Sequence, residues 1–364
     1  MAERAPRARR LPAAPLRAAR TKRDSGELDV TVVLLEQGYA STAIGPIEVF
    51  HSAGRLWNAL LGDTPAPRFR VRTASIDGGP VTSLCDLGLV PECGIGDIAR
   101  TDIVILPASG LDVQERIART SSLLPWLRTM HARGAYIAGI CSGVAFLAEA
   151  GLLDDRQATT HWAVADILRQ RYPNVRWHSE QFVTEDGQMF CSGGVYASID
   201  LSLYLVEKLC GHEIALKTAK SLLVSMPRGR QSGFATLPLS RPHADARIRK
   251  AEEYLQQHFA NPVSIETLAG RFGMSARNFI RRFKLATGSL PGSYVQTLRV
   301  AAAKSMLERG SEAIQSIGTT IGYQDAAFFR ALFKRHTGMT PAEYRHRFAS
   351  LNVEREAVVG REPG

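Results

Sequence analysis

A cysteine set between glycines, with a histidine twenty residues further on, is the first place where this sequence could do covalent chemistry. Gly139-Ile140-Cys141-Ser142-Gly143 closes the apolar run Tyr136 to Ile140, so Cys141 is expected at an elbow where a strand enters a helix. Flanking glycines relieve crowding in such a turn, and the N-terminus of the following helix can lower a thiol pKa. The arrangement resembles the elbow of hydrolase nucleophiles. Thr159-Thr160-His161 would carry an imidazole towards the thiol. A cysteine with a histidine supports covalent catalysis when a third group orients the base. The same residues also fit a blander use, with Cys141 as a compact core residue and His161 closing a helix end. Ser192, in Ser192-Gly193-Gly194, would add a hydroxyl or backbone donors to the same pocket.

A second constellation suits a polyanion. Near the C-terminus one pattern appears twice: Gly273, Phe279, Phe283-Lys284, Thr287-Gly288, Pro291 and Tyr294, then Gly322, Phe329, Phe333-Lys334, Thr337-Gly338, Pro341 and Tyr344. The offset is 49 between the first glycines and 50 from the Phe-Lys pairs onward, which places one inserted residue in the second helix. Each copy reads as helix, glycine turn, helix, with Ser264, Ser275 and Asp325 as N-caps. Phe279 and Phe283 share one helix face, which leaves Arg277, Asn278, Arg281 and Arg282 for bases or phosphates. In the second copy Phe328, Phe329 and Leu332 are expected inside, with Arg330, Lys334 and Arg335 offering polar contacts. Ala326 and Ala327 leave that helix short of long side chains at its start, so it is expected to position more than to read. A helix over 293–309 would join the two.

Charge supports this division. Residues 247–348 hold 16 Lys/Arg against 7 Asp/Glu, whereas residues 28–246 hold 19 against 22. Basicity concentrated in one segment is the electrostatic footprint of nucleic-acid binding. The 364 residues suit two domains. From Asp29 short apolar runs alternate with amphipathic segments: strands at 30–35, 69–74, 103–107 and 136–140, helices at 46–61 and 123–132. This is the pattern of a parallel sheet covered by helices. Residues 1–27, with eight Lys/Arg and three Asp/Glu, lack helical periodicity and a signal-type apolar core. No apolar stretch is long enough to span a bilayer, so no membrane association is expected. Five scattered cysteines form no CxxC pair, and Cys85 with Cys93 lacks a nearby histidine; neither a disulfide framework nor a metal site is expected, nor any cofactor.

On these residues three resemblances can be stated. Residues 246–348 resemble the DNA-binding domain of the AraC family of transcription regulators, through Gly322-Tyr323, Phe328-Phe329, Phe333-Lys334, Thr337-Gly338, Thr340-Pro341 and Tyr344-Arg345. The elbow and Thr159-Thr160-His161 resemble the PfpI-like superfamily, relatives of class I glutamine amidotransferases. The chain from 29 to 348 is similar as a whole to GlxA-like regulators, which join these two parts. The resemblance implies an α/β PfpI-like (flavodoxin-like) sheet sandwich followed by an all-α domain with two helix-turn-helix units. It divides the chain into a disordered basic tail (1–28), a ligand-sensing domain (29–227), a linker (228–245), a DNA-binding domain (246–348) and a flexible tail (349–364). Catalytic PfpI-like proteins place a glutamate near the cysteine where this chain has Thr42, which favours sensing over catalysis. Thr42, Cys141, His161 and Ser192 are then ligand-pocket candidates. The implied protein is a cytoplasmic transcription regulator governed by a small, nitrogen-containing effector. Its partners would be double-stranded operator DNA and a second copy of itself in a homodimer, with RNA polymerase as a further candidate. The competing expectation is a cysteine-dependent amidase or hydratase with an accessory DNA-binding domain.

Overall fold

The computed structural model describes residues 26–110, 112–226, 231–234, 243–310 and 312–349. Nearly all of both expected tails, and Arg228 to Arg230 of the expected linker, lie outside these. Two compact units are present, the first ending at Gln231 and the second beginning at Ser232.

The first unit runs β1 (Leu28–Val33), α1 (Ser41–Ser52), α2 (Leu56–Leu60), β2 (Phe69–Ser75), β3 (Val81–Thr82), β4 (Gly88–Leu89), β5 (Cys93–Gly94) and β6 (Ile103–Leu106). It continues with α3 (Val113–Arg119), α4 (Leu123–Ala132), β7 (Tyr136–Ile140), α5 (Val144–Glu149), β8 (Gln157–Ala158), α6 (Ala165–Arg171) and β9 (Arg176–Trp177). β10 (Val183–Asp186), β11 (Met189–Ser192), α7 (Ala197–Cys210) and α8 (His212–Ser221) complete it. Seven strands form one sheet in the order β10-β11-β7-β6-β1-β2-β5, parallel except where β10 meets β11. The chain begins in the middle, builds outward through β2, then returns to the other side of β1 for β6 and β7. Every residue of β1 is buried because both sheet faces are covered. Val33 packs with Leu127, Ile137 and Phe146 in one layer, while Val30 and Val32 pack with Phe50, Ile105 and Leu201 in the other. Fully burying one such aliphatic side chain is worth roughly 1.5–3 kcal/mol, so this two-sided packing is what fixes the strand ends.

One helix differs from its expected span. Instead of a single helix over 46–61, α1 starts earlier at Ser41 and stops at Ser52, and α2 follows after Gly54. Apolar spacing ran through the break, but Gly54 has φ +77° and its backbone lies against the Ala66 carbonyl. A helix cannot continue through that conformation.

The second unit is all helical: α9 (Ala246–His258), α10 (Ile265–Arg271), α11 (Ala276–Thr287), α12 (Pro291–Arg309), α13 (Ile314–Thr320), α14 (Ala326–Thr337) and α15 (Pro341–Phe348). α10–α11 and α13–α14 are the two helix-turn-helix heads, joined by α12. Pro291 at the first turn of α12 and the left-handed Gly288 before it set its start. The heads have separate cores. Phe279, Phe283 and Tyr294 centre the first; Phe329, Phe333 and Tyr344 centre the second. α11 and α14 each have 12 residues, so the inserted residue is not in the second helix as expected. It lies in the turn, where Gly273 stands two residues before its cap and Gly322 three before its own. Turns absorb an added residue without rotating the apolar face of the helix that follows. A second correction concerns Phe328, expected inside and in fact 49% exposed.

Candidate functional site

β7 runs straight into a single tight turn, Cys141–Gly143, and then into α5. Cys141 has φ +54°, a conformation costly for a residue with a side chain. Gly143 is what allows the turn: a Cβ there would stand 2.2 Å from the Pro107 carbonyl oxygen. The sequence therefore builds the elbow it promised. Around it the hydroxyls are arranged as struts. Thr160 Oγ1 donates to the Cys141 carbonyl at 2.8 Å, which ties the Thr159-Thr160-His161 loop to the turn. Ser142 Oγ accepts from the Ser109 amide at 3.1 Å. Thr42 is fully buried; its hydroxyl donates to the Tyr39 carbonyl at 2.6 Å and accepts from the Ala108 amide at 3.1 Å. Ser192, also fully buried, pairs in register with Ile140, and its hydroxyl has no partner among the described residues. His161 is half-buried; its Nδ1 accepts from the Ala163 amide at 3.1 Å. The Gly194 backbone passes close to its ring.

The electrostatics of this elbow run against nucleophilic chemistry. Burial pushes the Cys141 thiol up to about 11, although the Ser142 amide acts the other way. The expected lowering by a helix N-terminus does not prevail: α5 has six residues and desolvation outweighs it. Burial also holds the His161 imidazole below its ordinary value. A thiolate–imidazolium pair needs the two shifts reversed, so both groups are neutral at pH 7.

Sequence reasoning missed Gln231. Inside the stretch expected to be a flexible connection, its side chain is buried, and its amide donates to the Thr160 carbonyl at 2.8 Å and the Gln181 carbonyl at 3.0 Å. A lone polar residue among breakers gives no local sign of such long-range bonds.

On the second unit the capping expectations are met. Ser264 accepts from Thr267 N, Ser275 from Asn278 N, and Asp325 from Ala327 N and Phe328 N. Arg277 and Arg281 are exposed on α11, and Arg281 donates to Asn278 Oδ1 at 3.1 Å. Arg282 turns inward to fork onto Asp245, at 2.7 and 2.9 Å. The guanidinium holds the Asp245 carboxyl below its usual range. On α14, Arg330, Lys334 and Arg335 are exposed, and Phe328 occupies the position that Asn278 holds on α11. Arg299, unremarked in the sequence, organises the second turn. It donates to the carbonyls of Phe259, Asn261 and Gly322 at 2.7, 3.0 and 3.1 Å, and its guanidinium stacks over Tyr323.

A sheet with a glycine-flanked elbow, together with a twin-headed helical unit, defines the class. Residues 29–208 match the DJ-1/PfpI family, and residues 268–347 match a helix-turn-helix domain. The HTH-type transcriptional regulator CdhR of Pseudomonas aeruginosa is 26% identical over 281 residues, 77% of this chain and 82% of that protein. The HTH-type transcriptional regulator GlxA of Rhizobium meliloti is 29% identical over 64% of this chain and 72% of its own length. Isonitrile hydratase of Pseudomonas putida is 33% identical, over 41% of this chain and 63% of that protein. The chain is thus an N-terminal DJ-1/PfpI-like domain fused to a C-terminal helix-turn-helix domain of the AraC/GlxA type.

Proposed function

We propose that this chain is a one-component transcription regulator: the 246–348 domain binds operator DNA, and the 29–227 domain responds to a small nitrogen-containing metabolite across the 228–245 linker. One observation carries the reading. The elbow that could house a nucleophile holds a protonated thiol, while two capped helices in the same chain turn exposed arginines outward. Similarity to regulators over both domains supports it. Arg277, Asn278 and Arg281 would contact bases or phosphates on the first head, with Arg330, Lys334 and Arg335 contacting phosphates on the second. Arg282 would act beside them through its fork to Asp245, which fixes the start of α9 against α11. The elbow with Thr42, Cys141, His161 and Ser192 marks the ligand-responsive region. The protein would work in the cytoplasm as a homodimer, presenting four heads to repeated half-sites and RNA polymerase to promoters nearby. Among the described residues no helix is long and apolar enough to cross a membrane.

Coupling requires the ligand to prefer one arrangement of the two domains. Genome-wide mapping of bound DNA in cells tests the reading: discrete peaks sharing paired half-sites are expected, and uniform, salt-sensitive coverage without a motif would overturn it. The hydratase-like similarity motivates a second assay, incubation of the full chain with isocyanide and amide substrates. Turnover lost on Cys141→Ala would displace the regulatory reading.

A further inference from the structure

Gln231 is the last residue of the first unit, and it is only 1% exposed. Glutamine is mostly a surface residue, so one buried this completely where a domain ends has a local cause. Three segments make its socket. Its Nε2 donates to the Thr160 carbonyl at 2.8 Å and to the Gln181 carbonyl at 3.0 Å, with the Thr159 hydroxyl a longer contact at 3.3 Å. Its backbone amide donates to the Glu180 carbonyl at 2.9 Å. Gly193 forms a further wall: a Cβ there would stand 2.5 Å from both Nε2 and Oε1 of Gln231. Any side chain at 193 would displace the carboxamide, so this glycine and this glutamine fit as a matched pair.

The socket adjoins the elbow through two links. Thr160 receives the Gln231 amide on its carbonyl, while its hydroxyl donates to the Cys141 carbonyl at 2.8 Å. Ser192, the residue before Gly193, pairs in register with Ile140, the residue before Cys141. A shift of the cysteine turn or of the Thr159-Thr160-His161 loop therefore moves the groups that hold Gln231. Those groups are neutral, and a neutral hydrogen bond made in exchange for one to water adds a net factor of only about five. A few such bonds hold a side chain in place and give way when their acceptors move.

We propose that Gln231 is a releasable latch: seated in the Gly193 socket, it fixes where the chain leaves the elbow-bearing unit, and displacement of the Thr160 loop unseats it. The proposal rests on the reading of the chain as a regulator and supplies a step between the elbow and the helix-turn-helix unit. The signal passes along the backbone, since the residue after Gln231 is the first of the second unit.

Hydrogen exchange and DNA titration of the full chain test this. Gln231→Glu keeps the side chain's length but sets an acceptor against carbonyls. Gly193→Ala fills the socket from the other side. Thr160→Val keeps the acceptor carbonyl and removes only the strut to Cys141. In all three the Gln231 amide is expected to exchange at least about tenfold faster than in the parent, while amides of β1 and β7 exchange as before. Should Gly193→Ala loosen the sheet as well, Gln231→Glu, which leaves the socket intact, decides alone. Unchanged exchange in Gln231→Glu would overturn the latch. Unchanged exchange in Thr160→Val would make Gln231 a static anchor with no line to the elbow, and would overturn its release. For the DNA measurement, a site mapped in cells is the probe, and about five base pairs, half a helical turn, are inserted between its half-sites. The insertion should weaken the parent at least about tenfold more than Gln231→Glu, because an unseated connection reaches the displaced half-site. Equal losses would refute the latch's part in regulation. A parent chain with no such site would count against the regulatory reading, whereas exchange at Gln231 needs no DNA and judges the latch by itself.

Discussion

The two heads share a plan and differ in how their turns are held. In the first, Gly273 adopts φ +66° with open space where a side chain would go. In the second, Gly322 adopts φ +91°, a Cβ would stand 2.1 Å from the Ala260 carbonyl oxygen, and Arg299 clamps the surrounding backbone. Their outward faces differ too. α11 displays Arg277, Asn278 and Arg281, whereas α14 begins with Ala326, Ala327 and an exposed Phe328. A repeated sequence has thus given one head a locked turn with few long polar side chains at its start, and the other a loose turn with many. Locking suits a part that fixes register on the duplex; long side chains suit a part that reads it.

The largest effect expected from this contrast is on stability. Gly322→Ala should destabilise the helical unit by about 3 kcal/mol, since strain at positive φ adds to a backbone clash, while Gly273→Ala should cost only about 1 kcal/mol. Denaturant melts of the two variants measure the difference, and equal losses would dissolve the contrast. Next comes Lys304, buried on α12 under the second head, donating to the Ser232 carbonyl at 2.9 Å, and pushed down to about 8 by desolvation. Its folded value lies below the ordinary 10.5, so the unfolded chain binds more protons between those two pH values. The contribution of Lys304 to stability should therefore rise with pH across that window, by roughly 3 kcal/mol. Lys304→Met should flatten the rise, and a variant that retains the parent's slope would refute the assignment.

Smaller effects are expected at the DNA surface. Arg281→Ala should weaken binding to a mapped site by about tenfold and relax the base preference at one position. Arg330→Ala should weaken all sequences alike, a few-fold, and lower the salt slope by about one. Competition titrations at several salt concentrations separate the two patterns. If Arg330 were the residue that changed base preference, the roles of the heads would be exchanged.

Much of this could be read in the sequence because it is local. Apolar runs gave the strands, Ser264, Ser275 and Asp325 gave the caps, and Gly139 to Gly143 gave the elbow. What escaped reading depends on distant parts of the chain meeting. The Arg299 clamp draws on carbonyls 23 and about 40 residues away. Arg282 looked like a DNA contact from its helix face alone, and only the approach of Asp245, 37 residues earlier, turns it inward. Phe328 sits beside Phe329 in a pattern that reads as core, yet adjacent residues on a helix cannot both face inward. The thiol was misjudged for a similar reason: its elbow is a local pattern, while its burial is a property of the whole sheet.

The protonated elbow has a practical corollary. Alkylating reagents attack the thiolate, and a thiol held at about 11 offers about one part in ten thousand in that form at pH 7. Cys191 is buried and held at about 12, and burial raises Cys93 as well, whereas Cys85 stands exposed on the loop after β3. Under brief treatment at neutral pH a maleimide dye should therefore mark Cys85 ahead of these three. The chain thus carries its own attachment point for a fluorescent reporter, on the loop between β3 and β4.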